Sequence, residues 1–68
     1  MEERLGVKGA RLLAGFTQAE MAAAMGVHAH TYRKFEREPM KMTIDQAIKF
    51  CSIVKRSFAV IFFDVHSS

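Results

Sequence analysis

Apolar residues recur at intervals of three and four along most of the chain, and no stretch shows the alternation typical of a β-strand. This pattern predicts a helical protein. A first helix is expected over about residues 3–14, with Val7, Ala10 and Leu13 on its inner face. Gly15 is expected to close it, because glycine is common just past a helix end.

The second helix has the clearest start signal in the sequence. Thr17 and Glu20 have the spacing of a capping box, in which each side chain satisfies a free backbone N–H of the first turn. Gly26 can adopt the left-handed conformation that ends a helix and turns the chain sharply. The residues expected to face inward are Met21, Ala22 and Met25.

A third helix is expected from about Ala29 to Glu36, because Pro39 disfavours helical conformation at the residue before it. Helical spacing places Tyr32 and Phe35 close together on one side. The nearly opposite side carries Ala29 and the polar or basic residues His30, Arg33, Lys34 and Arg37. Residues 37–42 are expected to form a loop.

Two more helices complete the predicted fold. Thr43 and Gln46 form a second capping box. The apolar residues that follow it at helical spacing, and are expected to face the core, are Ile44, Ala47, Ile48, Cys51 and Val54. Ser57 is expected to cap a last short helix over residues 58–63, and residues 64–68 are expected to form a frayed tail.

Composition restricts the function further. A length of 68 residues predicts one domain, residues 1–68, and the net charge of +3 permits an anionic partner such as nucleic acid. No apolar run has the roughly 20 residues that a membrane span needs. Cys51 has no partner for an internal disulfide, which favours a small buried side chain in a reducing cytoplasm. We therefore expect a cytoplasmic protein without a membrane association.

The segment of residues 17–36 has the layout of a helix-turn-helix, in which one helix braces another for insertion into a DNA groove. Over about residues 4–63 the chain resembles the phage repressor and Cro-like helix-turn-helix domains, the XRE family. The matching residues are Arg11, Gly15-Phe-Thr-Gln18, Ala22, Gly26-Val27, Tyr32, Phe35-Glu36 and Ser57-Phe-Ala-Val-Ile-Phe62. The resemblance implies an all-α fold, a compact five-helix bundle of the lambda-repressor type, that binds duplex operator DNA as a two-fold dimer.

The resemblance also implies roles for individual residues. Arg11 and Glu36 match a partly buried ion pair. The residues that match positions near bases are His28, Ala29, His30, Arg33 and Lys34, and those that match phosphate-contacting positions are Thr17, Gln18, Arg37 and Lys41. The chain departs from the family pattern at His28, where Ser or Thr is usual, and at Lys55, where Gly is usual.

Two groups of these residues also have alternative interpretations. Arg33, Lys34 and Arg37 could form an ordinary solvated helix face, but within this motif DNA contact is the preferred interpretation. His28 and His30 lie two residues apart, which points the rings to nearly opposite sides of a helix and argues against a shared metal ion. We expect no metal, no cofactor and no small-molecule ligand.

The last helix is apolar all round, and such a helix must be covered by something. Its residues Phe58, Val60, Ile61, Phe62 and Phe63 predict a dimer or partner-protein interface, unless a small core uses them all. The sequence contains no catalytic arrangement, so we expect no enzyme. The preferred function is a sequence-specific, DNA-binding transcriptional regulator that acts as a homodimer. The alternative is a helix-turn-helix module that binds a repressor or another partner protein without contacting DNA.

Overall fold

The computed structural model describes residues 5–62, which form five α-helices and one 3₁₀ turn. In chain order they are α1 (Gly6–Ala14), α2 (Gln18–Met25), α3 (Ala29–Arg37), the 3₁₀ turn Pro39–Lys41, α4 (Ile44–Val54) and α5 (Phe58–Phe62). The expected first turn at residues 3–4, Phe63 and the expected tail at 64–68 lie outside the described residues. Within residues 5–62 no helix has the length and apolarity that crossing a membrane requires.

Both predicted capping boxes are present. Thr17 Oγ1 accepts a hydrogen bond from the Glu20 N–H at 3.0 Å, and Glu20 Oε1 accepts one from the Thr17 N–H at 2.9 Å. Thr43 and Gln46 repeat this arrangement at the start of α4, with distances of 3.1 and 2.9 Å. Each cap is worth about 1 kcal/mol of stability, so the starts of α2 and α4 are fixed locally.

The turn between α2 and α3 depends on Gly26, which has a φ of +74°. A left-handed conformation of this kind costs little for glycine and more for residues with a Cβ atom. The Gly26 and Val27 N–H groups donate to the carbonyls of Ala23 and Ala22, at 3.1 and 3.0 Å. The chain therefore reverses tightly and brings α3 against α2.

The first helix ends at Ala14 with Gly15 as its cap, as predicted, but differs from the prediction at its start and in the residues that it buries. It begins at Gly6, which has a φ of +68°, and Leu5 is its N-cap residue. Its buried face consists of Val7, Ala10 and Arg11, whereas Leu13 is 62% exposed. The prediction for Leu13 was wrong because this residue lies about 120° from Val7 around the helix, outside the buried arc.

The core lies where α1, α2, α3 and α4 meet. Its largest fully buried side chains are Tyr32, Phe50 and Met21. The Tyr32 ring stacks against Phe50 at a centroid distance of 6.5 Å. Cys51 is half-buried beside this core, and burial raises the pKa of its thiol.

The prediction for the fourth helix is confirmed for Ala47 and Val54, and Cys51 is half-buried, but it was wrong for two isoleucines. Ala47, Phe50 and Val54 are buried, whereas Ile44 and Ile48 are 67% and 56% exposed. Both faces are apolar, so spacing alone does not distinguish them, and the aromatic ring of Phe50 takes the core position. The two isoleucine side chains are therefore exposed to solvent beside the buried face of α4.

The last helix packs mainly against the core of its own chain. Ile61 is buried, and Phe58 and Phe62 are partly buried against the core with their rings 4.7 Å apart. Ser57 Oγ accepts a hydrogen bond from the Val60 N–H at 3.3 Å, as expected for a cap. The Leu5 N–H donates to the Val60 carbonyl at 3.2 Å, which ties the chain before α1 to α5.

Lys55, which ends α4, provides the first testable prediction. It is the non-glycine residue with positive φ, +58°, within the described range. We expect Lys55→Gly to raise the free energy of unfolding by about 0.5–1 kcal/mol because it relieves this conformation. Thermal unfolding should then shift upward by about 2–8 °C.

The matched control is Lys49→Gly, which alters an exposed lysine in the interior of α4, whereas Lys55 is the C-cap residue that follows this helix. It should lower stability by about 1 kcal/mol. If both glycine substitutions destabilise the protein equally, the backbone of Lys55 is not strained.

Candidate nucleic-acid interface

One side of α3 presents four polar or basic side chains to solvent. His30, Arg33, Lys34 and Arg37 are all exposed, and helical geometry places them within an arc of about 100°. Tyr32 and Phe35 are buried on the other side, where they anchor α3 in the core. The helix therefore has one fixed side and one free side, as groove insertion requires. We call these four residues the α3 face.

The beginning of α3 is less well suited to DNA contact than the resemblance implies. His28 is the N-cap residue, is exposed, and makes no side-chain capping hydrogen bond. Ala29, the first helical residue, is half-buried and packs against the core. Ala29 has only a methyl group to offer, and part of it is already covered.

Two predicted phosphate contacts lie at the end of α3 and just beyond it. Arg37 is the last residue of the helix, so its predicted place in the following loop was wrong by one residue. Lys41 ends the 3₁₀ turn, with its Nζ 3.9 Å from Glu38 Oε1. Both partners are more than half exposed, so this pair contributes little stability and leaves the lysine accessible.

At the start of α2, Thr17 is exposed and Gln18 is half-buried. The Thr17 hydroxyl oxygen is used by the capping box, which leaves its O–H free to donate. Gln18 is partly engaged within the protein, since its Nε2 donates to Glu36 Oε1 at 2.9 Å. Helical spacing does not predict this bond, because 18 positions separate the two residues.

Arg11 and Glu36 form the ion pair that the resemblance implies. Arg11 Nε lies 2.6 Å from Glu36 Oε2, and both side chains are only 7% exposed. A second Arg11 nitrogen, Nη1, donates to the Phe16 carbonyl at 2.9 Å. The pair therefore connects α1, the turn before α2, and α3.

The Tyr32 hydroxyl is buried near this ion pair. No atom within residues 5–62 is placed to form a hydrogen bond of normal geometry with it. Burial raises the pKa of Tyr32 well above its usual value, and the nearby Glu36 carboxylate raises it further. The phenol is therefore neutral at physiological pH.

The pKa of Glu36 predicts how stability responds to acid. Burial opposes ionisation, but hydrogen bonds from Arg11 and Gln18 outweigh it and leave the pKa below its usual value. The folded state thus binds this proton more weakly than the unfolded state does. The stabilisation is complete above the unfolded pKa of about 4.3 and is lost as the pH falls through the folded pKa.

Urea unfolding between neutral and acidic pH measures this loss. Other carboxylates contribute too, so the control is the same titration on the double variant Arg11→Met/Glu36→Met. Wild type should lose more stability in acid than the double variant. Equal losses would show that Glu36 has no depressed pKa.

An apolar groove lies beside α5. Its lining consists of Pro39, Met40, Met42, Ile44, Ala47, Phe58 and Phe62. Met40 is 86% exposed at its edge, whereas Met42 is buried. Part of the groove was indicated by the sequence, since Phe58 and Phe62 belong to the last helix, for which an interface was predicted; the contribution of residues 39–47 was not predicted.

The structure places no group of three His, Cys, Asp or Glu side chains in metal-binding proximity within residues 5–62. His28 and His30 are both exposed and separate.

Comparison with known families supports the helix-turn-helix fold. A helix-turn-helix family model, of the Cro/C1 type, matches residues 7–61, which is most of the chain. Neither a curated protein nor a solved structure matches the chain.

Proposed function

Because the chain belongs to the Cro/C1-type helix-turn-helix (XRE) family, we propose that it regulates transcription by binding specific operator sequences in duplex DNA. Domains of this family are DNA-binding regulators, not enzymes. The observation that carries the proposal is the α3 face, which is exposed, positively charged and fixed from behind by buried aromatic rings.

In this proposal the α3 face enters the major groove. Lys34 and Arg33 donate to base edges, for which guanine O6 and N7 are the most frequent acceptors. His30 supplies a further donor or acceptor, and His28 and Ala29 flank the contact. The residues that contact phosphates are Thr17, Gln18, Arg37 and Lys41. With a half-buried alanine at its beginning, the helix distinguishes bases through few side chains, so we expect modest specificity.

We infer that the protein acts as a homodimer, since two-fold dimers place two such helices about 34 Å apart, one turn of DNA. Of the predicted interface residues, Ile61 is buried in the core and Phe63 lies outside the described residues. Phe58 and Phe62 border the apolar groove, together with the exposed Ile44. This groove is therefore the candidate interface.

Ile44→Glu should prevent dimerisation, because it places a charge beside the groove. Sedimentation velocity would show a monomer where wild type shows a dimer. Leu12→Glu is the matched control, since Leu12 is a similarly exposed apolar residue on α1, away from the groove lining. A dimer that survives Ile44→Glu would exclude the groove as the interface.

A second candidate function is a helix-turn-helix module that binds a partner protein without contacting DNA. The same groove favours it, since an exposed apolar surface rimmed by polar residues is typical of protein interaction sites. Electrophoretic binding to DNA upstream of the gene distinguishes the two. Absence of binding at low salt, together with a stable complex with another protein, would favour the partner module.

A further inference from the structure

The Glu36 carboxylate joins three helices through its two oxygens. Oε2 accepts from Arg11 Nε of α1 at 2.6 Å, and Oε1 accepts from Gln18 Nε2 of α2 at 2.9 Å. Glu36 itself belongs to α3. The Arg11 half of this arrangement is buried, whereas Gln18 reaches the surface at the beginning of α2. Only the Gln18 end can therefore meet an external ligand.

The chemistry of the carboxylate fixes the orientation of the Gln18 amide. An ionised carboxylate only accepts hydrogen bonds, so the amide must turn its NH₂ group, not its oxygen, toward Glu36. That NH₂ group has two hydrogens, and the bond to Glu36 uses one of them. The second remains available to an acceptor outside the protein.

A DNA phosphate is also an acceptor, so it needs the nitrogen end of the amide. If the amide were reversed, its oxygen would take the position of the nitrogen, where it would repel both the Glu36 carboxylate and a phosphate bound there. We propose that Glu36 is a positioning residue for DNA binding: it holds the Gln18 amide with a hydrogen free for phosphate. This inference rests on the proposed function and adds a role for a residue that does not itself touch DNA.

Arg11 makes this arrangement possible at low electrostatic cost. Without it, a carboxylate at this position would repel the phosphate that Gln18 is held to contact. The guanidinium lies against the other Glu36 oxygen and cancels its charge, and Nη1 also holds the Phe16 carbonyl two residues before Gln18. The ion pair thus supports the amide without adding net negative charge beside the DNA.

A mutant cycle on DNA affinity tests the proposal. The probe is a fluorescein-labelled duplex recovered by the wild-type protein from a random-sequence pool. Gln18→Ala should weaken binding about tenfold, the loss expected for one hydrogen bond to a charged acceptor. Glu36→Gln should weaken it severalfold, because a carboxamide can donate as well as accept and no longer orients Gln18.

The decisive comparison is between the effect of Glu36→Gln on affinity in the wild-type protein and its effect in the Gln18→Ala variant. In a Gln18→Ala protein, Glu36→Gln should have no further effect on affinity, whereas a purely structural role would weaken binding equally in both backgrounds. The variant Arg11→Met/Glu36→Met repeats the test without an unpaired buried charge. Tyr32→Phe is the matched control: it removes a hydroxyl beside the ion pair but leaves the Gln18 bond, and it should bind as wild type does.

The possible failures are distinguishable. Losses that multiply in the combined variants, or a Gln18→Ala protein with wild-type affinity, would overturn the positioning role while leaving DNA binding intact. A wild-type protein that recovers no duplex from the pool would contradict the proposed function itself, and the positioning role with it.

Discussion

Replacing Arg11 by methionine is expected to lower the free energy of unfolding by about 3–5 kcal/mol, because it leaves the Glu36 carboxylate buried without its counter-ion. That is a large part of the roughly 3–10 kcal/mol expected for a domain of 68 residues. The bond from Arg11 to the Phe16 carbonyl is lost as well. Urea denaturation followed by circular dichroism measures the change.

The double variant Arg11→Met/Glu36→Met is the control. Apolar residues of similar size in place of both charges remove the desolvation cost along with the attraction, so most of the lost stability should return. If the single and double variants are equally unstable, the defect comes from packing and not from the unpaired charge. If Arg11→Met is as stable as wild type, the ion pair does not hold the helices together.

The second large effect concerns the α3 face. Lys34→Ala should cost about 1–3 kcal/mol of discrimination at one base pair, because a lysine at a base edge contributes specificity. Arg37→Ala should weaken binding to all duplexes about equally and reduce the salt slope by about 1, as loss of one phosphate contact does. Fluorescence anisotropy with the selected duplex and its single-base-pair variants separates the two patterns.

Lys49→Ala removes the same charge from α4, outside the α3 face, and serves as the control for net charge. It should leave discrimination unchanged. Wild-type binding by both Lys34→Ala and Arg37→Ala would mean that another surface contacts the DNA.

The sequence predicted those parts of the fold that local signals determine. Thr17 with Glu20, and Thr43 with Gln46, start helices through hydrogen bonds that span only three residues. Gly26 ends α2 through its own backbone conformation. These interactions need no information from distant parts of the chain, so their positions could be predicted closely.

The features that could not be predicted from the sequence are those that depend on tertiary packing. Ile44 and Ile48 have the same spacing as core residues, but Phe50 occupies the core and leaves them at the surface. The choice between two apolar faces of one helix depends on which neighbour is present, and spacing does not contain that information. The apolar groove is a consequence of this choice.

The candidate site divides in the same way. Exposure of His30, Arg33, Lys34 and Arg37 follows from the helical period of α3 and could be predicted. The bond between Gln18 and Glu36 could not, since it joins residues from different helices and depends on the orientation of an amide. The resemblance predicted the Arg11–Glu36 pair, but it did not predict that Gln18 is also bonded to Glu36.

The salt dependence of duplex binding tests the central claim most directly. We expect the wild-type protein to enrich particular sequences from random duplex DNA, with log affinity falling linearly against log salt between about 50 and 200 mM. The slope should be about −0.9 for each phosphate contacted. If no sequence is enriched and no duplex binds at about 50 mM salt, the α3 face is not a DNA-binding surface.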